Sequence, residues 1–401
     1  MHDALSQLAG VPIRGSVQPR FRMVAETFAQ NFRARDELGA SVCVRVEGET
    51  VVDLWGGHLT VGGAEWAQDT VGVVFSCTKA ATAACLHLLI ARGAVELDAP
   101  VARYWPGFGC EGKGEITARM VLAHTAGLPA LRAPVRAEGW RDPAYMVGLL
   151  ERERPFWEPG TRLGYHALTF GYLVGEIVRR VSGQSLGRFF GTEIAEPLGL
   201  DFSIGLPAED EPRVTPLVPH RSSRAERSRP FLVEAMKPGT PAHLFVFNSG
   251  DWAARGVHTA EGRAVEIPAA NGVTNARGLA GMYAGLTDGH LGFSSEAVRG
   301  FATEAAFADR DAVLQLPTRF GPGFMLSMGR KLSGEEGLAI GPEAFGHAGM
   351  GGSMGFADPS RKLAFGYTLN RLGGGLLLDA RGQSLVDATY RSLDGELGSA
   401  P

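Results

Sequence analysis

The stretch over residues 75–92 constrains the fold more than any other part of this 401-residue chain. Alanine, leucine and isoleucine dominate it from residue 80 onward, which favours a helix in apolar surroundings, and Gly93 behind it is a natural C-cap. In a helix, residues three apart share a face, so Lys79 lies over the turn that carries Ser76. The sequence therefore predicts a serine hydroxyl and a lysine amine side by side at the start of an apolar helix.

Ser76 and Lys79 are a candidate nucleophile and its base. A serine hydroxyl is a poor nucleophile until a neighbouring base takes its proton. Burial disfavours the charged form of lysine and lowers its pKa, so an amine among apolar residues can be that base. Ser76 also lies at a helix N-terminus, where free N–H groups favour a developing negative charge. A serine three residues before a lysine is common by chance, so the pair requires support from other parts of the chain.

The composition excludes several classes of protein. With 45% hydrophobic and 20% charged residues the chain is globular, and a net charge of −4 gives no electrostatic case for a nucleic-acid partner. Four cysteines form no short-spaced framework, and the histidines and cysteines lack metal-ligand spacing, so we expect neither a metal nor a cofactor. Residues 1–10 do not resemble a signal peptide, and no window is apolar enough to span a bilayer. We expect a soluble cytoplasmic protein without a membrane partner, and its oligomeric state stays open.

Strand patterns lie at both ends of the chain and helical patterns lie between them. The strand candidates are two hairpins, over 40–54 and over 353–357 with 363–369, and a segment over 323–328. The helical candidates besides 75–92 are 21–35, 142–151, 168–181 and 376–393. This order predicts one mixed sheet built from both termini (residues 1–75 and 271–401), with a mostly helical domain inserted at 76–270.

A long segment over about 203–272 is rich in proline, glycine and arginine and has no sustained periodicity. Its apolar run 244–247 needs burial, so we interpret the segment as an ordered insertion that covers the site. Trp157, Phe245 and Phe247 are then candidate walls of a substrate cleft. Each buried methylene adds about 0.8 kcal/mol until a wall is reached, so we expect an optimum near acyl chains of about four to six carbons. The alternative is that these aromatic residues only pack the insertion against its neighbours.

Two segments match known active-site or nucleotide-binding motifs but lack the structural context that those motifs require. Residues 351–355 match the G-x-S-x-G nucleophile elbow, but no histidine follows Ser353 and a strand hairpin follows instead of a helix. Residues 107–112 match G-x-G-x-x-G, yet no strand precedes them and no helix opens at the last glycine. We therefore interpret Ser353 as part of a glycine-rich turn and residues 107–112 as a loop.

Two further sites support the Ser76–Lys79 pair. Tyr165 lies in a turn just before a helix, and a phenol beside a lysine ammonium can have its pKa lowered, so it can shuttle a proton. The sequence His347-Ala348-Gly349-Met350 directly precedes the second hairpin, where an edge strand would offer backbone N–H groups to a substrate. Taken alone, Tyr165 is more simply a residue packed at the start of a helix.

Together and in this order, the motifs resemble the serine β-lactamase and penicillin-binding-protein superfamily, and within it the class C-like esterases called family VIII carboxylesterases. The resemblance covers about residues 20–395. The segments that carry it are Ser76 to Lys79, residues 93–101, residues 122–128, the turn from Pro159 to Tyr165, residues 271–280, and His347 to Gly349 with the hairpin after it. It implies an α+β fold with an antiparallel sheet flanked by helices and an inserted helical domain.

The resemblance also implies a role for each site residue. Ser76 would be the nucleophile that accepts the acyl group, with Lys79 and Tyr165 as its base and proton shuttle. The backbone N–H groups of Ser76 and Met350 would form the oxyanion hole, in which each donor is worth roughly 3–4 kcal/mol. His347 and Gly349 would line the substrate site. His124, in the 122–128 segment, would hold the loop before the inserted domain.

Two departures from the family pattern decide between substrates. Ala167 stands where β-lactamases of this type have an asparagine that binds the drug's amide, and His347 replaces the lysine that attracts its carboxylate. We therefore expect a serine carboxylesterase that hydrolyses small uncharged esters of short or medium acyl chain through a Ser76 acyl-enzyme. The alternatives are β-lactamase or D-alanyl peptidase activity, acyl transfer to an alcohol, and a non-catalytic binding protein on the same fold.

Overall fold

A nine-stranded antiparallel sheet dominates the structure, a computed structural model that describes residues 2–220, 229–329 and 338–395. Its spatial order is β1-β3-β2-β12-β11-β10-β9-β8-β7. These strands are β1 (Ile13–Val17), β2 (Gly39–Val46), β3 (Glu49–Gly57), β7 (Ala306–Ala308), β8 (Thr318–Phe320), β9 (Met325–Leu326), β10 (Phe345–Ala348), β11 (Met354–Asp358) and β12 (Leu363–Leu369). The α+β class and the antiparallel sheet are confirmed, whereas the mixed sheet expected from the strand pattern alone is wrong.

The central pairing of the sheet joins the two ends of the chain. Strand β2 pairs with β12 from Ala40 opposite Leu369 to Val46 opposite Leu363. Both predicted hairpins are present, because β2 pairs with β3 and β11 with β12. The third strand candidate, 323–328, is reduced to the two residues of β9.

Helices cover both faces of this sheet. They are α1 (His2–Ala9), α2 (Arg22–Ala34), α3 (Thr78–Ala91), α4 (Ala118–Leu122), α5 (Pro143–Arg152), α6 (Thr169–Ser182), α7 (Leu186–Phe190), α8 (Pro230–Ala235), α9 (Pro241–Phe247), α10 (Ala260–Ala264), α11 (Ala276–Thr287), α12 (Ser295–Phe301) and α13 (Ala380–Leu393). One sheet face packs on α2 and α13 through Phe28 and Leu385. The other face packs on α11, which approaches so closely that a Cβ at Gly366 would collide with the Ala276 carbonyl oxygen. Because both faces are covered, every residue of β12 is buried.

Helix α3 runs through the helical part of the molecule. Each of its residues from Thr78 to Leu89 is buried, which confirms the apolar helix predicted over 75–92. It ends at Ala91, and Gly93 adopts the left-handed conformation (φ +72°) that closes many helices. The predicted helices over 21–35, 142–151 and 168–181 correspond to α2, α5 and α6.

A small second sheet connects the residues before α3 to the segment before α11. Its order is β4 (Gly72–Val73), β6 (Gly272–Thr274) and β5 (Phe202–Ile204), and both pairings are antiparallel. Beyond β4, the Val74 N–H donates to the Gly272 carbonyl oxygen at 2.9 Å. This sheet therefore places the turn around residue 76 against residues 268–274, a contact that the sequence did not predict.

Two expectations, the start of the last helix and the burial of residues 244–247, need correction, and the 203–272 segment proves to contain short helices. Helix α13 begins at Ala380 with the Asp379 carboxylate as N-cap, so residues 376–379 are not helical. The 203–272 segment contains α8, α9 and α10, which are too short to produce a periodic pattern, and its residues 221–228 lie outside the described residues. In the apolar run 244–247, Val246 is 38% and Phe247 60% exposed, so burial of the whole run is wrong. The domain boundaries at 75/76 and 270/271 stay a prediction.

Candidate active site

Ser76 lies in a tight turn between the small sheet and α3. The preceding residue, Phe75, has φ +45°, a conformation that is unfavourable for a residue with a Cβ. Packing maintains it, because the buried Phe75 ring contacts the Trp252 ring edge-on with centroids 6.4 Å apart. The turn is closed by a 3.1 Å hydrogen bond from the Cys77 N–H to the Val74 carbonyl. Ser76 itself is half-buried, so the turn presents its hydroxyl at the edge of the core.

The Lys79 amine contacts the Ser76 hydroxyl. Its Nζ lies 3.0 Å from Ser76 Oγ and 2.9 Å from the Ala269 carbonyl oxygen. The side chain is fully buried, and burial holds the pKa of the Lys79 amine well below its usual value of 10.5. No carboxylate pairs with Lys79 among the residues that the structure describes. An amine in this state is able to accept a proton from Ser76.

Tyr165 places its ring against the same amine. Lys79 Nζ lies 4.8 Å from the centroid of the Tyr165 ring, and Tyr165 is 4% exposed. Burial raises the pKa of the phenol, and its approach to Ser76 only moderates that rise. The prediction that Lys79 lowers the Tyr165 pKa is therefore wrong, because an amine whose own pKa is lowered carries little positive charge to do so. Tyr165 is a neutral phenol that holds its proton.

The segment from His347 to Met350 lies directly against the Ser76 turn. Gly349 packs so closely that a Cβ there would collide with the Val74 carbonyl oxygen, and the Cys77 thiol lies 3.4 Å from the His347 and Ser353 carbonyl oxygens. In the described part of the chain, no carbonyl accepts a hydrogen bond from the backbone N–H of Ser76 or of Met350. Met350 is 36% exposed, and the oxyanion hole formed by these two N–H groups stays a prediction.

Ser353, the serine of the G-x-S-x-G match, has a different environment. It is 2% exposed, precedes strand β11, and its carbonyl oxygen accepts a 2.7 Å hydrogen bond from the Gly349 N–H. A buried serine that closes a turn agrees with our interpretation of Ser353 as part of a glycine-rich turn.

Three buried histidines lie at or near the tyrosine turn, and two of them contact the Tyr165 ring. His347 is 6.2 Å and His124 is 4.8 Å from it between ring centroids, and His166 follows it in the chain. His347 Nδ1 lies 2.8 Å from the Ala348 carbonyl oxygen, and burial lowers the pKa of His347 to about 3. Burial lowers the pKa of His166 to about 3 as well, and holds that of His124 well below its ordinary value. Burial therefore favours the neutral form of the two imidazoles that contact the Tyr165 ring, those of His124 and His347.

Hydrogen bonds fix the tautomers of two of these rings. His124 Nδ1 accepts from the His166 N–H at 3.1 Å, and His166 Nε2 accepts from the Leu128 N–H at 3.0 Å. His166 Nδ1 in turn donates to the Gly164 carbonyl at 2.7 Å. His124 thus binds the tyrosine turn to the loop before it, which agrees with the structural role expected for it.

The sequence did not indicate Asp311 or Phe320, although both contact Tyr165. The Asp311 carboxylate accepts from the Tyr165 N–H at 3.1 Å, and the Phe320 ring stacks on the Tyr165 ring at 6.0 Å between centroids. Both residues lie about 150 positions further along the chain, in segments without a motif, so no local signal pointed to them.

The three aromatic residues proposed as cleft walls differ in their positions. Trp157 packs over Gly164, next to Tyr165, and lines a cavity of about 550 Å³ between the tyrosine turn and the α8–α9 segment. Phe245 on α9 is half-buried, against Phe231 and the cluster that contains Tyr165. Two residues along a helix point about 200° apart, so Phe247 points away from Phe245. Its side chain is 60% exposed, and its ring lies 4.9 Å from the His243 ring between centroids. Phe247 thus departs from the burial expected of it, and the assignment of Trp157, Phe245 and Phe247 as walls of the substrate cleft stays a prediction.

The described residues contain no group of three or more histidine, cysteine, aspartate or glutamate side chains arranged to hold a metal ion. They also contain no helix with the length and apolar character that crossing a bilayer requires.

Comparison with known proteins identifies the class. The β-lactamase family profile matches residues 26–388, so the chain belongs to the β-lactamase family. The predicted resemblance and fold are thereby confirmed. The chain is a serine hydrolase of the β-lactamase fold, with esterases among its relatives.

Three individual relatives cover almost the whole chain. The esterase/β-lactamase LipL of Mycobacterium tuberculosis is 36% identical over 385 residues, which are 91% of this chain and 84% of LipL. A crystal structure of a family VIII carboxylesterase is 36% identical, with a TM-score of 0.81 over 95% of this chain and 99% of that one. A penicillin-binding-protein homologue from Caulobacter crescentus is 34% identical, with the same TM-score and coverage.

Proposed function

We propose that this protein is a carboxylesterase that hydrolyses small uncharged esters of short or medium acyl chain through an acyl-enzyme on Ser76. The observation that carries the proposal is the buried Lys79 amine, 3.0 Å from Ser76 Oγ and without a carboxylate partner among the described residues. The esterases among the relatives support the same reaction class.

The acylation step follows from the positions of these groups. Ser76 Oγ attacks the ester carbonyl carbon while Lys79 Nζ takes the hydroxyl proton. The negative charge on the carbonyl oxygen is stabilised by the backbone N–H groups of Ser76 and Met350. The bond to the alcohol oxygen then breaks, and the alcohol leaves with a proton from the Tyr165 phenol, which Lys79 replaces.

Deacylation uses the same groups in reverse. A water molecule takes the place of the alcohol, and its proton passes through Tyr165 to Lys79 as the oxygen attacks the acyl carbon. The second tetrahedral oxyanion occupies the same two N–H donors. When it collapses, Ser76 Oγ leaves with the proton from Lys79, and the carboxylic acid is released.

The charges around the site support an uncharged substrate. His347, at the position of the family's lysine, is neutral because burial lowers its pKa to about 3. Ala167, 4% exposed, has no side-chain amide to bind an acylamide group. A substrate carboxylate would gain no cation at either position, so it would lose its hydration without compensation.

Hydrolysis of p-nitrophenyl butyrate by the wild type and two serine variants tests the assignment. We expect Ser76→Ala to abolish turnover with an unchanged circular dichroism spectrum, and Ser353→Ala to retain it. Incubation with a fluorophosphonate probe and mass spectrometry should place the label on Ser76. Full activity in Ser76→Ala, or a labelled Ser353, would refute the mechanism, and an unlabelled folded protein would favour a binding protein.

A second candidate activity is opening of β-lactams, and the observation that favours it is the relative described as an esterase/β-lactamase. The acylation chemistry is the same, but neither His347 nor Ala167 offers a cation for the drug's carboxylate. We expect kcat/KM on a chromogenic cephalosporin to be far below that on p-nitrophenyl butyrate, and equal values would reverse this ranking. Product analysis with added alcohol detects acyl transfer, the remaining alternative.

A further inference from the structure

A buried carboxylate lies behind the tyrosine turn. Asp311 is fully buried, and five hydrogen bonds from four residues reach its two oxygens. The Tyr165 N–H is 3.1 Å from both oxygens, the N–H groups of Val313 and Leu314 are 2.7 and 2.9 Å from Oδ1, and the Thr318 hydroxyl is 3.1 Å from Oδ2. No lysine or arginine pairs with this carboxylate in the described part of the chain.

The tyrosine turn is held from two sides. The N–H groups of Gly164 and His166 both donate to His124, at 3.1 Å to its carbonyl oxygen and 3.1 Å to its Nδ1. The N–H between them, that of Tyr165, donates to Asp311 instead. His124 and Asp311 are therefore opposite halves of one clamp. The Asp311 half also includes a 3.2 Å bond from the Ala312 N–H to the Leu163 carbonyl.

The phenol itself has nothing comparable to hold it. Its oxygen is buried, and its approach to the Ser76 side chain falls short of a well-formed hydrogen bond; among the described residues no other partner holds it. The ring is positioned by packing between Lys79, His124 and Phe320, and the backbone at Tyr165 sets where that ring can lie. A small rotation of this backbone would move the hydroxyl away from Ser76, and errors of about 1 Å at a reacting group can cost 100-fold in rate.

We propose that Asp311 is a positioning residue for Tyr165: its carboxylate fixes the backbone of the tyrosine turn and thereby holds the phenol where it delivers a proton to the leaving alcohol. The proposal rests on the proposed esterase function. The ionised form suits the site, because Oδ1 already accepts three N–H groups and a carboxylate accepts more hydrogen bonds than a carboxyl group. Burial raises the pKa of Asp311, and four of its hydrogen bonds oppose that rise.

Comparing esters with different leaving groups distinguishes a positioning role of Asp311 from a purely structural one. p-Nitrophenolate leaves without protonation, whereas the alkoxide of ethyl butyrate needs a proton from Tyr165. In Asp311→Asn the volume is kept, but the side chain loses its charge and one acceptor oxygen, so the Tyr165 N–H loses one of its two hydrogen bonds. We expect kcat/KM to fall about 10-fold on p-nitrophenyl butyrate and about 100-fold or more on ethyl butyrate. The ratio of the two rates is independent of the folded fraction, so a destabilised variant still gives an answer.

Two further variants complete the experiment. Tyr165→Phe should show the same leaving-group dependence. The double variant Tyr165→Phe/Asp311→Asn should have nearly the same kcat/KM as Tyr165→Phe, because both changes remove the same function, proton transfer by Tyr165. Thr318→Val is the matched control, since it removes a hydrogen bond to Asp311 but leaves the bond to Tyr165, and it should keep the wild-type ratio.

Three outcomes would overturn the proposal. An Asp311→Asn enzyme that loses both ester activities equally would have a general structural defect. Losses that multiply in the double variant would show that Asp311 does not act through Tyr165. A wild type that hydrolyses neither ester would refute both the proposed function and the role of Asp311. An active wild type, with an Asp311→Asn variant that keeps the wild-type ratio of kcat/KM for the two esters, would refute the role of Asp311 alone.

Discussion

The neutral state of Lys79 has a measurable consequence for stability. The unfolded chain holds this lysine as a cation up to a pKa of about 10.4, while burial in the folded protein holds the pKa far lower. Between the two pKa values the unfolded state binds one proton more than the folded state. Stability therefore rises with pH in this window, and it is lost as the pH falls through the folded pKa.

Replacing Lys79 with methionine removes this proton and keeps a side chain of similar length. One proton corresponds to about 1.4 kcal/mol per pH unit. Between pH 7 and 9 the free energy of unfolding of the wild type should therefore rise, relative to that of Lys79→Met, by at most about 2.7 kcal/mol. The other titrating groups are the same in both proteins, so their contributions cancel in the difference. At neutral pH we expect Lys79→Met to be the more stable protein, because it has no amine to deprotonate on folding.

The measurement is urea denaturation of both proteins at half-unit steps from pH 7 to 9. Lys362→Met, at a position where the side chain is 71% exposed, provides the baseline for losing a lysine at the surface. A difference between wild type and Lys79→Met that stays flat across this range would mean that Lys79 is protonated in the folded protein. It would then be unable to serve as the base for Ser76.

Three further predictions concern the walls of the site. Gly349→Ala should lower kcat/KM at least 10-fold, because the added Cβ would collide with the Val74 carbonyl oxygen. Gly300→Ala is the control and should keep the wild-type kinetics, because an added Cβ there has nothing within 4 Å. Wild-type kinetics in Gly349→Ala would contradict this packing. In urea denaturation, Phe245→Ala should lower the free energy of unfolding by about 1–2 kcal/mol and Phe247→Ala by less than about 0.5 kcal/mol. An acyl-chain optimum that moves above six carbons in Phe245→Ala, but not in Phe247→Ala, would identify Phe245 as a cleft wall. His347→Lys should raise kcat/KM on a cephalosporin about 10-fold relative to kcat/KM on an ester, because a charge-assisted hydrogen bond to the drug's carboxylate is worth roughly 1.5–3 kcal/mol. An unchanged ratio would show that the missing charge at residue 347 does not determine the substrate preference.

Local patterns in the sequence were sufficient for several parts of the structure. The spacing of Ser76 and Lys79 predicted their contact because a helix fixes neighbours three residues apart. Alternating valines predicted the first hairpin, and two apolar segments on either side of a proline-containing turn predicted the second, since pairing between adjacent strands depends on a short turn. Tyr165 and Met350 came from the family resemblance, because nothing in the local sequence around either residue shows that the fold brings it to Ser76.

Features that depend on burial or on distant contacts were missed. The direction of the Tyr165 pKa shift depends on how completely the phenol and the amine are removed from water, which a sequence does not give. Asp311 reaches Tyr165 across 146 positions, and the small sheet joins three segments that are each only two or three residues long. Phe247 was misplaced because the short helix that turns it outward has too few residues to show a period.

The pairing of β2 with β12 has a consequence for synthesis of the protein. At about 5–20 residues per second, a ribosome needs roughly 15–60 s to reach β12 after it has completed β2. During that interval the edge of β2 that will receive β12 has no partner, and an open edge of valine-rich backbone is a template for wrong pairing. We therefore expect the nascent chain to depend on chaperones that bind exposed strands. Residues 347–350, which pack against the Ser76 turn, emerge equally late, so under the proposed function we expect no ester hydrolysis until synthesis is almost complete.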